Sequence, residues 1–324
     1  MEEKLKLNDK LCQIKSAAIT GHVRPDGDCI GSTLGFYNYI KDNFPQIDVD
    51  LYLQTPGEEF SYLTNIDAVK KQIDYNKRYD MFFVFDCGAV DRFEPFCKLL
   101  QMSKYTVCID HHVTNDGFAD ENIVVPDLSS TCELLYTCLS DEQISKACAE
   151  CLYTGIICDT GVFKYQSTTS ETMRIAGRLM DKGINHTRII DDGFFTKTYR
   201  QNLMVGKALL ESVLFHDGRC IYSAVTQETM KFYGLKSSQM GMVIDQLRNT
   251  GGVEVAIFMY ELLKGSFKVS MRSKDYIDVS KVCSYFGGGG HVRAAGCTIA
   301  GSPKDIIERL DEQLTIQFRE YGVK

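Results

Sequence analysis

No stretch of 18 or more apolar residues occurs in this 324-residue chain, so the sequence offers no candidate transmembrane helix. The opening MEEKLKLNDK mixes acid and base and lacks the apolar centre of a signal peptide or membrane anchor. Low-complexity tracts and internal repeats are missing too. No basic surplus exists: 36 Lys and Arg stand against 43 Asp and Glu, a net charge of −7. That argues against a protein that coats long nucleic acid, because such binding runs on basic surface. Histidine is scarce, at six residues, which makes any clustering of it informative. Cysteine is plentiful, at 13, but disulfide-framework spacing is lacking, and Cys87, Cys108 and Cys158 sit inside apolar runs. These read as reduced, buried thiols of a cytoplasmic protein. Cys148-Ala149-Glu150-Cys151 is one C-x-x-C in a helix-like segment, without the turn a redox motif wants.

An apolar content of 44% and a charged content of 24% are those of a globular chain, and the length fits two domains. Residues 1–190 alternate strand-like and helix-like runs, which implies an α/β fold with a parallel sheet covered by helices on both faces. Ala17–Gly21, Val49–Leu53, Met81–Phe85 and Tyr105–Ile109 are the strand-like runs, and Arg92–Met102 is expected to be helical. Ser129-Ser130-Thr131 is expected to cap a helix over Cys132–Leu139, and Ser167–Ser170 another over Glu171–Met180. Asn185–Leu210 reads as largely helical. The domains expected are a metal-binding unit over 1–190, a helical linker over 191–210, and a smaller α/β unit over 211–324. Acid concentrates in the first part: residues 1–210 hold 22 basic and 30 acidic residues, residues 211–324 hold 14 and 13.

The ends of the apolar runs carry the chemistry. Asp110-His111-His112 follows Tyr105–Ile109, and His22-Val23-Arg24-Pro25-Asp26-Gly27-Asp28 follows Ala17–Gly21. Asp86 ends Met81–Phe85, and Asp159 follows Tyr153–Cys158. A single Asp in such a place is commonly a helix N-cap, and a lone His pair is commonly a surface feature. Neither explains carboxylates and imidazoles at four successive segment ends in a chain with six His. Open α/β sheets bind ligands at the carboxyl ends of their strands, and mixed oxygen and nitrogen donors suit a hard-to-borderline divalent ion. The pattern is that of a two-metal hydrolase. Asp26 and Asp28 flank Gly27 in a tight turn and can serve neighbouring ions. Cys29, Cys87 and Cys158 adjoin these positions, and because adjacent strand residues point oppositely, they are expected to be small buried packers.

A second motif is Phe286-Gly287-Gly288-Gly289-Gly290-His291-Val292-Arg293-Ala294-Ala295-Gly296. Glycines let backbone N–H groups approach an anion closely, and His291 and Arg293 add donors to phosphate. A flexible linker is the alternative, but linkers seldom run straight into a strand-like Cys297-Thr298-Ile299.

Together these segments, with Asp159-Thr160-Gly161 and Met271-Arg272-Ser273-Lys274, resemble the DHH phosphoesterase superfamily, in the subgroup with a DHH-associated C-terminal domain. Within it the chain is most similar to the bacterial oligoribonuclease (nanoRNase) and pAp phosphatase group, over nearly its whole length. The resemblance implies two metal ions, usually Mn2+, with Mg2+ or Co2+ as substitutes. It assigns His22, Asp26 and Asp86 to one and Asp28, Asp86, His111 and Asp159 to the other. His112 would face the scissile phosphate, with Asp110 orienting a neighbour. Arg272, Ser273, Gly288, Gly289, Gly290, His291 and Arg293 would bind substrate phosphate and the terminal nucleotide.

The implied function is hydrolysis of RNA oligonucleotides of about two to five residues to mononucleotides, with possible 3′-phosphatase activity on pAp. The alternative within the superfamily is a phosphodiesterase for cyclic or linear dinucleotides, of the c-di-AMP or pApA type. A non-catalytic nucleotide sensor would be marked by lost ligands, and all six are present. Expected partners are short RNA, dinucleotides or pAp, with no long nucleic acid and no membrane; a homodimer is left open.

Overall fold

Six strands of the N-terminal unit form a fully parallel sheet: β1 (Ser16–Thr20), β2 (Asp48–Tyr52), β3 (Val69–Lys70), β4 (Tyr79–Phe85), β5 (Ser103–Asp110) and β6 (Glu121–Val124). Their order, β3-β2-β1-β4-β5-β6, reverses between β1 and β4. The computed structural model describes residues 7–322. Two compact units divide the chain between Thr196 and Lys197.

Helices α1 (Leu7–Leu11), α2 (Gly27–Asn43), α3 (Leu99–Met102), α4 (Thr131–Cys138), α5 (Lys146–Asp159), α6 (Ser170–Asp181) and α7 (His186–Ile190) complete this unit. One sheet face, with Ile19, Phe83, Phe85 and Ile109, packs under α2, α4 and α5. The other, with Ala18, Phe82 and Val84, packs against Phe93, Phe96 and Leu99. Burial on both faces is why β4 and β5 read as continuous apolar runs rather than as alternation.

The second unit starts with α8 (Tyr199–Leu210). Its mixed sheet contains β7 (Val213–Phe215), β8 (Cys220–Val225), β9 (Val255–Leu263), β10 (Ser266–Ser273), β11 (Gly289–His291) and β12 (Ala294–Ala300), in the order β11-β12-β10-β9-β8-β7. Helices α9 (Gln227–Tyr233) and α10 (Met242–Arg248) cover one face with α8, and α11 (Val279–Tyr285) and α12 (Pro303–Glu320) cover the other. Among the described residues no helix is long and apolar enough to cross a membrane.

Several local expectations are corrected. Arg92–Met102 is not one helix: 3-10 turns at Val90–Phe93 and Phe96–Lys98 precede the short α3, because Pro95 lacks an N–H and cannot sit inside a helix. The stretch 185–210 breaks at Thr196–Thr198, where Thr198 and Gln201 form a capping box that starts α8 afresh. The apolar run before Asp159, open between strand and helix in the sequence, is the end of helix α5. Gly289 and Gly290 of the glycine run form strand β11 with His291. Its β12 pairing places Gly289 opposite Gly296 and His291 opposite Ala294.

One charge stands inside the apolar strand β2. Asp50 is buried, and it is held by Lys70 Nζ at 2.6 Å, Lys77 Nζ at 2.8 Å and the Tyr79 hydroxyl at 2.6 Å. Burial is the largest influence and pushes this carboxyl up; Lys70, Lys77 and Tyr79 together outweigh it and hold it at about 2. A depressed carboxyl contributes stability that is present above its ordinary value near 4 and is lost as pH falls through about 2. Asp50→Ala is expected to lower unfolding stability at pH 7 by roughly 2 kcal/mol, since hydrogen bonds to charged groups contribute about 1.5–3. In urea melts of both proteins between pH 7 and pH 2, that gap should narrow towards the acid end. A gap that stays constant across the range would contradict the assignment.

Candidate metal centre

The carboxyl ends of β1, β4 and β5 meet at the point where strand order reverses, the place where open α/β sheets bind ligands. His22 leaves the end of β1, Asp86 follows β4, and Asp110 ends β5 with His111 and His112 after it. Asp26 caps α2, its Oδ1 accepting from the N–H groups of Asp28 and Cys29. The N-cap reading and the ligand reading of Asp26 therefore both apply, because the same oxygen lies 3.5 Å from His22 Nε2. Asp159 comes from the end of α5.

His22 Nδ1–H donates to the Val23 carbonyl at 3.0 Å, which turns Nε2 towards Asp86 Oδ2 at 3.4 Å. His111 Nδ1–H donates to the Leu128 carbonyl at 3.3 Å. Its Nε2 lies 3.2 Å from Asp159, 3.7 Å from Asp86 Oδ1 and 3.8 Å from Asp28. An imidazole fixed through one nitrogen and presenting the other is the arrangement of a metal ligand. Donors spaced in this way can share an ion bound at about 2.1 Å. His112 is different: its Nδ1–H bonds Asp110 Oδ1 at 2.7 Å.

The electrostatics demand cations. Burial pushes Asp28 well above the usual carboxylate range, and Asp86 and Asp159 push it further. Burial also lifts Asp159, to about 6. Burial pulls His22 down, but its bonds to Asp26 and Asp86 outweigh this and raise the ring to about 11. His111 is raised to about 10 by Asp159, Asp28 and Asp86 against the same burial. The protonated rings stand in for positive charge that divalent ions would supply, so the donor set fits them.

Cys29 also comes near His22 and Asp86. Burial drives its thiol well above its ordinary value, with Asp86 and Asp26 adding to the effect, which leaves a protonated packer and no thiolate ligand. Strand alternation is not the reason, because Cys29 and Cys158 lie on helices α2 and α5. They are small because glycines face them: a Cβ at Gly21 would strike Cys29, and one at Gly27 would strike Cys158.

Three residues carry roles that the sequence did not suggest. Thr131, read only as part of a helix cap, donates its N–H to Asp28 at 2.7 Å and its hydroxyl to Asp86 at 3.2 Å. Asn115 donates to Asp110 at 2.7 Å and to the Cys87 carbonyl at 3.0 Å. Glu133, fully buried, accepts from Ser129 and from Thr172 and so fixes the segment that carries Thr131. A polar residue three places after His112 was the available signal for Asn115. Backbone strain also gathers here: Arg24, Asp86, Val162 and Phe163 have φ of 55°, 55°, 57° and 62°. Positive φ at residues bearing side chains costs about 1–3 kcal/mol each.

In the second unit the phosphate-binding residues proposed from the sequence share one end of the sheet. Arg272 and Ser273 end β10, with Arg272 opposite Ala294 of β12, and the Ser273 N–H donates to the Arg293 carbonyl at 3.1 Å. Ser273 is buried and its hydroxyl reaches the Val292 carbonyl at 3.4 Å. The Arg293 guanidinium donates to the carbonyls of Ile277, at 2.9 Å, and Asp275, so part of its work is to hold this turn. Gly288, Gly289 and Gly290 are exposed. Two of them are also required sterically, since a Cβ at Gly288 would strike Gly296 and Cys297, and one at Gly290 would strike Ala294 and Ala295. The side chain of His291 lies outside the described part of the structure.

Residues 16–156 match the family described as DHH family, N-terminal domain, and residues 217–316 match the DHHA1 domain. The chain is 28% identical over 310 residues to the bifunctional oligoribonuclease and PAP phosphatase NrnA of Thermus thermophilus, covering 92% of this chain and 90% of that protein. It is 25% identical over 293 residues to the protein of the same name from Bacillus subtilis, covering 86% and 87%. The crystal structure of an exopolyphosphatase-related protein from Bacteroides fragilis has the same fold, with a TM-score of 0.88 at 23% identity over 97% of this chain and 96% of that one. The chain joins a DHH-family N-terminal domain to a DHHA1 domain.

Proposed function

We propose that the protein is a two-metal phosphoesterase that hydrolyses short RNA oligonucleotides to mononucleotides and also removes the 3′-phosphate from pAp. The observation that carries this reading is the disposition of Asp86. Its Oδ2 lies 3.4 Å from His22 Nε2 and its Oδ1 3.7 Å from His111 Nε2. One carboxylate with its oxygens turned to two separate donor sets is a bridging ligand. His22, Asp26 and Asp86 would hold one ion, and Asp28, Asp86, His111 and Asp159 the other. Mixed imidazole and carboxylate donors suit Mn2+, with Mg2+ or Co2+ as substitutes. Such a pair, when bound, lowers the pKa of water to give a nucleophile and stabilises the attacking and leaving oxygens.

The protein's own groups do the rest. His112 is raised chiefly by its bond to Asp110, which favours its protonated form. Asp110 fixes the ring through Nδ1, and the protonated imidazole can deliver a proton to the leaving oxygen. Asn115 keeps Asp110 in place for this. Arg272, Ser273, His291 and Arg293 are assigned to a substrate phosphate away from the bond that breaks. The substrate class is supported by the two NrnA proteins, each aligned over most of this chain. None of the 13 cysteines is in a disulfide, which suits a reducing cytoplasm.

Asp86→Ala removes a ligand from both sets at once and is expected to abolish turnover of every substrate. Activity within about tenfold of the native enzyme at saturating Mn2+ would sink the bridging assignment. Chelation should likewise silence the native enzyme, and Mn2+ should restore it.

Arg272→Ala is expected to lower kcat/KM by about tenfold to over a hundredfold, the range of one charge-assisted contact. An unchanged kcat/KM would remove Arg272 from the phosphate site.

Each added nucleotide brings another phosphate to an acidic protein without a long basic track. In a kinetic series from dinucleotide to 20-mer, kcat/KM should therefore be highest at about two to five residues and fall clearly by about fifteen. Rising efficiency with length would identify a processive exonuclease. A parallel panel of pAp, cyclic di-AMP and pyrophosphate ranks the other substrates.

A further inference from the structure

We propose that Arg24 is a substrate-contacting residue whose guanidinium receives a non-bridging oxygen of the substrate phosphate at the metal centre. The proposal rests on the two-metal phosphoesterase reading above.

Within four residues along the chain of His22, Asp26, Asp28, Asp86, His111 or Asp159, Arg24 is the one Lys or Arg. It stands midway between His22 and Asp26, two residues from each, and it is exposed. Among the described residues no carboxylate forms an ion pair with it, and its backbone N–H, not its guanidinium, makes the bond to Gln54, at 2.9 Å.

The backbone supplies the second line. Arg24 has φ 55° and precedes Pro25, although the residue before proline is restricted towards extended conformations and side-chain-bearing residues avoid positive φ. The turn is clamped before that residue, where Val23 N–H donates to the Arg92 carbonyl at 2.6 Å and His22 Nδ1–H to the Val23 carbonyl at 3.0 Å, and after it, where Asp26 Oδ1 accepts from the N–H groups of Asp28 and Cys29. This reversal lets His22 and Asp26 face each other at 3.5 Å. Glycine would make the same turn without strain, and asparagine with less. A strained arginine with no protein partner for its charge is explained when its side chain serves something outside the protein. The chemistry around it names that partner. Asp26, Asp28, Asp86 and Asp159 crowd the centre with negative charge, and an approaching phosphate is an anion that needs a bidentate cation beside the ions.

The test compares Arg24→Gly and Arg24→Lys with the native enzyme on a dinucleotide, reading kcat, KM, melting temperature and Mn2+ affinity. Arg24→Gly is expected to melt at or above the native temperature and to bind Mn2+ unchanged. Its kcat/KM should nevertheless fall by about tenfold to over a hundredfold. Arg24→Lys keeps charge but loses the planar fork, and should recover part of the loss. Two results overturn the proposal: kcat/KM of Arg24→Gly within about twofold of native, or a loss accompanied by weaker Mn2+ binding and lower melting, which would mark a structural turn. A native enzyme that hydrolyses none of the panel refutes the underlying phosphoesterase reading, and the proposal falls with it. An active native enzyme beside an equally active Arg24→Gly refutes only the role of Arg24.

Discussion

A carboxylate removed completely from solvent governs the N-terminal unit. Asp28 is fully buried, and a charge in that position is tolerated only with strong compensation. Part of it comes from the first turn of α4, where the N–H groups of Thr131 and Cys132 donate to its two oxygens at 2.7 and 2.9 Å. Those bonds tie α4 to α2. The rest must come from positive charge, because Asp86 and Asp159 add to the negative potential. Neighbouring imidazoles supply it as protons, and divalent ions can supply it better. The geometry of the centre is therefore a consequence of one burial decision.

Close approach of helices makes that burial possible. A Cβ at Gly31 would strike the Cys151 carbonyl and Cys132, and one at Gly155 would strike Cys132 and Asp28 itself. Glycine on one helix and cysteine on the next let α2, α4 and α5 pack near enough for their ends to deliver Asp26, Asp28, Thr131 and Asp159 to one place. This accounts for Cys29, Cys132, Cys151 and Cys158. Cys29, Cys132 and Cys158 are held as protonated thiols by burial, and they serve as small apolar packers that fit where a larger side chain cannot.

The second unit applies the same economy to backbone. Glycines 288 and 290 allow the hairpin of β11 and β12 to close, and Arg293 clamps the turn by bonding two carbonyls. Steric demand and access for an anion are compatible reasons for the same residues, so the motif alone did not separate them.

Sequence periodicity was enough to identify a parallel α/β sheet, and the ends of the apolar runs marked His22, Asp26, Asp28, Asp86, Asp110, His111, His112 and Asp159 as candidates, because such residues have little packing use there and recur together. The limits of that reading are physical. Pro95 and Thr198 interrupt helices that hydrophobic periodicity ran together, and a parallel strand cannot be told from a buried helix segment by apolarity alone, which is why the element before Asp159 stayed open between the two. Asn115 showed in the sequence only as a polar residue close after His112. Thr131 and Glu133 were beyond the sequence, since each acts through hydrogen bonds to residues distant along the chain. The same holds for the strain at Arg24 and Asp86, which is a property of backbone angles. Residue identity determined which groups could bind a metal. Only the tertiary structure decided which oxygen of Asp86 faces which histidine, because that depends on how β1, β4 and β5 are registered beneath α2, α4 and α5.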